Sequence, residues 1–131
     1  MSTSEIPASL ADLLERPVYG VLATIGRDDT AQASPMWFEH IDDTIRFTHT
    51  STRAKYRNLM RNPSMSLVVY DPDNPYRYIE VRGSLREATP DPTGAFYQHL
   101  ARRYGQTDPA APADAADRVI LVMSIDRVIG K

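Results

Sequence analysis

Tyr76-Arg77-Tyr78-Ile79-Glu80-Val81-Arg82-Gly83-Ser84-Leu85-Arg86-Glu87 is the stretch that decides the architecture. It reads as one long strand. A glycine inside a strand packs nothing and weakens it, so Gly83 marks a bulge or a bend of the kind barrel strands need. Upstream, Asp71-Pro72-Asp73-Asn74-Pro75 is a turn, and 65–70 is a nearly all-apolar strand, hence well buried. Downstream, 92–104 reads as a helix with Phe96, Leu100 and Tyr104 spaced four apart. Residues 105–117, rich in Ala, Pro and Asp, read as a loop, and 118–125 as the last strand. Toward the N-terminus, 44–50 alternates, with Ile45, Phe47 and His49 facing one way and Arg46, Thr48 and Thr50 the other. Strands at 19–25 and 30–39 flank a turn at 26–29, and 41–43 makes the next turn. A short amphipathic helix at 9–16 carries Leu10, Leu13 and Leu14 and stops at Pro17. Six strands, mostly joined by hairpins, with three short helices, predict a mainly β chain closed as a small antiparallel barrel. The whole of 1–131 reads as a single domain.

The bulk numbers exclude more than they assign. Hydrophobic residues at 42% and charged ones at 24% describe a globular domain with a real core. A formal charge of −2 argues against a general nucleic-acid binder. The chain has no cysteine, which excludes disulfide and thiolate chemistry and is compatible with the cytoplasm. Residues 1–8 lack the apolar run of a signal peptide. No apolar stretch approaches the roughly 20 residues that span a bilayer.

Against that near-neutral background, Ser51-Thr52-Arg53-Ala54-Lys55-Tyr56-Arg57-Asn58-Leu59-Met60-Arg61-Asn62-Pro63 gathers four of the fifteen basic residues into nine positions. Two hydroxyl residues that can cap a helix open it, and Asn-Pro closes it. A short basic helix directly after a strand offers free N–H groups, a favourable dipole and cationic side chains to an anion. On a helical grid Arg53, Arg57 and Arg61 line one face, Lys55 and Asn58 lie on another, and Tyr56, Leu59 and Met60 form the apolar face. Thr48, Thr50, Ser51 and Thr52 precede it as hydroxyl donors for phosphate oxygens, so the anion expected is the phosphate of a flavin-like cofactor. The alternative is a solvated basic face.

In Gln32-Ala33-Ser34-Pro35-Met36-Trp37-Phe38, Pro35 cannot donate to a sheet ladder, which places it in an irregular or edge strand. The free backbone groups beside it can bond the edge of a planar heterocycle. A plain edge strand with a core Trp explains the same residues. Tyr76-Arg77-Tyr78-Ile79-Glu80 fits ordinary cross-strand pairs better than a cofactor contact. His40, His49 and His99 lack metal-ligand spacing, Ser34 lacks a nucleophile-elbow context, and no glycine-rich dinucleotide fingerprint occurs. The absence of an evident general base suits hydride transfer, in which a cofactor carries the chemistry.

The strand at 19–25, Ala33-Ser34-Pro35-Met36-Trp37-Phe38, the run from Phe47 to Leu59, Asn62-Pro63 and Val69-Tyr70-Asp71 together resemble the pyridoxamine 5′-phosphate oxidase-like split β-barrel superfamily. Within it the chain looks most like the flavin/deazaflavin oxidoreductases of actinobacteria that use coenzyme F420, the class B type. The resemblance implies an FMN-binding type of split barrel and a cytoplasmic homodimer with cofactor sites at the subunit interface. It implies that Arg53 and Lys55 hold the cofactor phosphate, that Thr50 and Ser51 add contacts, and that Asn58 shapes the site. Ser34, Pro35 and Met36 would line the ring, while Tyr76, Arg77 and Tyr78 of a second subunit would close over it. The cations Arg57, Arg61 and Arg77 would serve an oligoglutamate tail. The implied activity is hydride transfer between F420 and a small electron-poor acceptor such as a quinone, tetrapyrrole or enone, with no metal, nucleic acid or membrane involved. The end at Arg127-Val128-Ile129-Gly130-Lys131 lacks the substrate segment of the oxidases proper, so vitamin B6 oxidation is not expected. Alternatives are an FMN-dependent oxidase or flavin reductase, an F420-binding or storage protein without turnover, and a purely structural interaction domain.

Overall fold

A computed structural model describes residues 5–130; residues 1–4, the start of the segment read above as carrying no signal peptide, and Lys131 lie outside the described residues. The chain order is α1 (Ala11–Glu15), β1 (Gly20–Ile25), β2 (Ala31–Met36), β3 (Glu39–Ile41), β4 (Thr44–Thr50), α2 (Ala54–Arg61), β5 (Ser64–Asp71), β6 (Asn74–Pro90), α3 (Ala95–Arg103), a 3-10 turn (Ala115–Asp117), β7 (Arg118–Ser124) and β8 (Arg127–Gly130). All strand pairs are antiparallel, in the order β2-β1-β5-β6-β7-β4-β3, with β8 on β6. The fold is the expected split barrel, with eight strands rather than six.

β6 joins the two halves. Its first part pairs with β5 on one side and β8 on the other, and from Leu85 onward it pairs with β7 across a bulge at Leu85/Glu87. Gly83 sits at the change of partner, where a Cβ would stand 1.8 Å from the Ser124 carbonyl oxygen. The bend expected at this glycine therefore has a cause: the β7 backbone occupies the space of a side chain.

Two differences produce the extra strands. The expected strand at 30–39 breaks at Trp37-Phe38, because α3 takes the Phe38 backbone out of the ladder. The Tyr104 hydroxyl accepts from Phe38 N–H at 3.0 Å and donates to the Val18 carbonyl at 2.9 Å, while Arg103 Nε donates to the Phe38 carbonyl at 3.0 Å. Arg103 also donates to the carbonyls of Glu15 and Arg16, so one side chain pins the end of α1 to the same junction. The second difference is β8, four residues paired with Ile79–Arg82. Leu13, Leu14, Leu22, Phe38, Phe47, Leu67, Ile79 and Leu121, all fully buried, form the centre of the core.

Candidate cofactor site

α2 packs against β1 with an unexpected face inward. Lys55, Asn58 and Leu59 are its buried residues, whereas Met60, assigned above to the apolar face, is 51% exposed. The reason is polar pairing. Asn58 Nδ2 donates to Thr24 Oγ1 at 3.3 Å and to Gln32 Oε1 at 2.8 Å, and its Oδ1 accepts from Arg61 at 2.7 Å. Asn58 thus ties the helix to the β1–β2 hairpin. The expected hydroxyl cap is absent. Arg53 is the N-cap residue, in extended conformation with no side-chain capping bond. Ser51 N–H is instead bonded to the Asp117 carbonyl at 3.0 Å, and the Thr50 and Thr52 hydroxyls lie 3.4 Å apart.

Lys55 is only 6% exposed, and its Nζ donates to a single neutral acceptor, the Leu22 carbonyl at 3.3 Å. Burial lowers its pKa from the ordinary lysine value. None of the ion pairs among the described residues includes Lys55 or Arg53. A buried ammonium without a counter-ion is costly.

Beside Arg53 opens a cleft of about 400 Å³. Ser34, Pro35, Met36 and Arg53 line it, which brings two of the expected constellations together. β2 is an edge strand, as Pro35 requires, so one side of its backbone has no sheet partner. Thr50, Ser51, Lys55 and Asn58 are not among the lining residues. Arg77 and Tyr78 do not line the cleft of their own chain. Arg77 is bound to Asp12 and to Asp71, the latter at 3.2 Å, and to the Ser9 carbonyl, and Tyr78 faces Tyr70 across the β5–β6 ladder.

Five further lining residues were not singled out by sequence: Tyr19, Trp37 as a wall, Tyr97, His49 and Arg118. Trp37 is half-buried, not a core residue. It stacks on Tyr104 with centroids 5.3 Å apart and meets Tyr97 at 5.8 Å. Arg118 lies 4.7 Å over the Tyr97 ring, held by Asp114 at 3.0 Å and donating to the Thr48 hydroxyl at 3.3 Å. The cleft therefore has an aromatic wall, a strand edge and a cationic end.

His49 stands at that end, 7% exposed. Burial, then the charges of Arg53, Lys55 and Arg118, lowers its pKa from 6.5 to about 4. The neutral imidazole contributes its stability in full above pH 6.5, and protonation in acid removes it between pH 6.5 and 4, up to about 3 kcal/mol. Denaturant midpoints measured from pH 7 to pH 4 are expected to fall more steeply in the wild type than in His49→Gln. Parallel slopes would show that the buried imidazole does not titrate this way.

Among the described residues no group of His, Cys, Asp and Glu could hold a metal ion, and no helix is long and apolar enough to cross a membrane.

A family model described as pyridoxamine 5′-phosphate oxidase matches residues 6–131. The solved structure of an F420 reductase is 49% identical, covers 96% of this chain and 100% of that one, and superimposes with a TM-score of 0.92. A conserved hypothetical protein of Mycobacterium tuberculosis is 26% identical over 95% of this chain and 82% of that one, with a TM-score of 0.74. HupZ of Group A Streptococcus, 16% identical over 96% of this chain and 94% of that one with a TM-score of 0.70, shares the fold.

Proposed function

The chain belongs to the pyridoxamine 5′-phosphate oxidase family, and we propose that it is an oxidoreductase of that family that uses coenzyme F420 to reduce a small electron-poor organic acceptor. The observation that carries this is Arg53, a cation without an ion pair that lines a cleft with an aromatic wall, followed two residues on by Lys55, buried without a carboxylate partner behind that lining. Likeness to an F420 reductase across nearly the whole chain supports the deazaflavin over FMN.

When bound and reduced, the deazaflavin supplies a hydride at its ring C5. The protein's own part is placement. Arg53 and Lys55 hold the phosphate by charge, and Thr50 and Ser51 frame that end. Ser34, Pro35 and Met36 line the ring from the edge strand β2, whose open side lies near the polar rim. Trp37 and Tyr97, their rings tilted at 44° to each other, give the ring and the acceptor an aromatic wall. Asn58 keeps α2 on the hairpin that carries Thr24 and Gln32. His49, neutral at pH 7, is a poor proton donor there. Arg57 and Arg61, both exposed, extend the positive end toward an anionic tail.

The proposal includes a homodimer. The outward rows Pro35–Val21–Val68 and Ala33–Ala23–Ser66 present small and apolar side chains suited to a second copy. Arg77 and Tyr78 are offered to the cleft of that copy, with Arg77 kept in place by Asp12 and Asp71.

Turnover is tested by mixing the protein anaerobically with reduced F420 and a panel of quinones, enones and tetrapyrroles. Acceptor-dependent return of oxidised F420 absorbance is expected. Tight binding with no oxidation across the panel assigns the chain to cofactor binding or storage, and a yellow protein purified with a flavin spectrum assigns it to the FMN branch.

A further inference from the structure

The proposed function leaves His49 without a role beyond being neutral. Its Nε2 is a fully buried side-chain atom with no hydrogen-bond partner. An unpaired buried polar atom costs about 1–3 kcal/mol, and folded proteins seldom keep one without a reason. The charges that act on the ring identify the missing partner. Arg53 faces it from the residue before α2, Lys55 from α2 and Arg118 from β7. Of these, Arg118 alone has a carboxylate of its own, Asp114. The Thr48 hydroxyl already accepts from Arg118. His49 lines the cleft, and its neutral imidazole, with a buried and unpaired Nε2, stands with Arg53 and Arg118 of the same lining and with Lys55 behind it as a donor set for an anion.

We infer that His49 is a ligand of the anion bound in the cleft, donating its Nε2 proton to a phosphate oxygen beside Arg53 and Lys55. The inference rests on the phosphate assignment above and is independent of whether a deazaflavin or a flavin carries that phosphate. A corollary concerns charge. Burial first, and then the three cations, keep the ring neutral in the free protein; the cations are offset once an anion sits among them, so the ring holds a second proton more readily in the complex.

The test is histidine side-chain 15N NMR on the full chain, titrated separately with inorganic phosphate, oxidised F420 and FMN. Assignment is simple because the chain has three histidines. At pH 7 the His49 Nε2 signal is expected to stay protonated and move on binding, and its midpoint of titration to rise by at least one pH unit. The signals of His40 and His99, which pair on the surface with Glu15 and Glu39, should stay still.

Two variants separate ligation from packing. His49→Leu is expected to leave the thermal midpoint of the free protein unchanged or higher, since it removes an unpaired polar atom, while weakening F420 binding about tenfold. His49→Gln, which restores an N–H donor, is expected to recover most of that loss. An Nε2 signal unmoved at saturating ligand, or His49→Leu binding as tightly as the wild type, overturns the inference. Strong F420 binding with a still His49 signal removes the inference and leaves the proposed function. A His49 shift with inorganic phosphate or FMN but no F420 binding does the reverse, and no response to any of the three anions removes both.

Discussion

Lys55→Met combined with Arg53→Ala is expected to weaken F420 binding by more than about 100-fold without lowering the stability of the free protein. Each charge-assisted hydrogen bond to a phosphate contributes about 1.5–3 kcal/mol, so two of them amount to at least two decades in affinity. The stability half of the prediction is the sharper one. Lys55 is buried against one carbonyl and has no ion pair, so Met, of similar volume and without charge, relieves the desolvation of the ammonium. Arg53 is exposed and unpaired, so its removal disturbs no contact inside the fold. A lysine kept for packing alone would give the opposite pattern, with stability falling and affinity holding. Fluorescence titration and thermal melts on one preparation distinguish the two, and unchanged affinity in the double variant would sink the phosphate assignment.

Gly83→Ala is expected to prevent folding. The added Cβ would lie 1.8 Å from the Ser124 carbonyl oxygen and 2.8 Å from its carbon, both backbone atoms that cannot rotate away. Relief requires β6 and β7 to separate where β6 changes partners. That separation breaks the bond from Ser84 N–H to Ser124 Oγ at 3.0 Å and the Leu85–Met123 pairing. A cost above about 4 kcal/mol is exceptional for one substitution and takes a large share of the roughly 5–15 kcal/mol that stabilises a domain. Soluble yield, near-ultraviolet circular dichroism and hydrodynamic radius should all report the loss. A soluble, native-like Gly83→Ala would mean that β6 does not cross β7 as closely as described.

The same glycine shows how much of the fold was legible. A long strand interrupted by Gly83 announced a barrel bend, alternation placed β4, and β1 and the nearly all-apolar β5 were read within a residue of their ends. The break between β2 and β3 was not legible, because nothing local stops the strand. Its cause is a hydroxyl and a guanidinium from residues 103 and 104, which claim the Phe38 backbone. β8 was missed because four residues carry too little pattern to be told from a loop.

The site divides in a similar way. The basic helix and the proline-marked edge strand were visible as local sequence, and the structure brings Arg53 together with Ser34, Pro35 and Met36 at one cleft. The inward turn of Lys55 was not visible, since a helical grid sorts lysine outward. Here Asn58 sets the rotation of α2 by its bonds to Thr24 and Gln32, and Met60 is left outside. His49 was read with Ile45 and Phe47 on the core side of β4, and that side ends at the cleft. Arg118 reaches the site only through the β4–β7 pairing, which places it opposite Thr50. Residues whose role depends on partners from distant strands leave no local signal.

The most direct measurement is a fluorescence titration of the purified protein with oxidised F420 and, separately, with FMN. The account predicts micromolar or tighter binding of F420 and much weaker binding of FMN. Preference for FMN, or binding of neither, would contradict it.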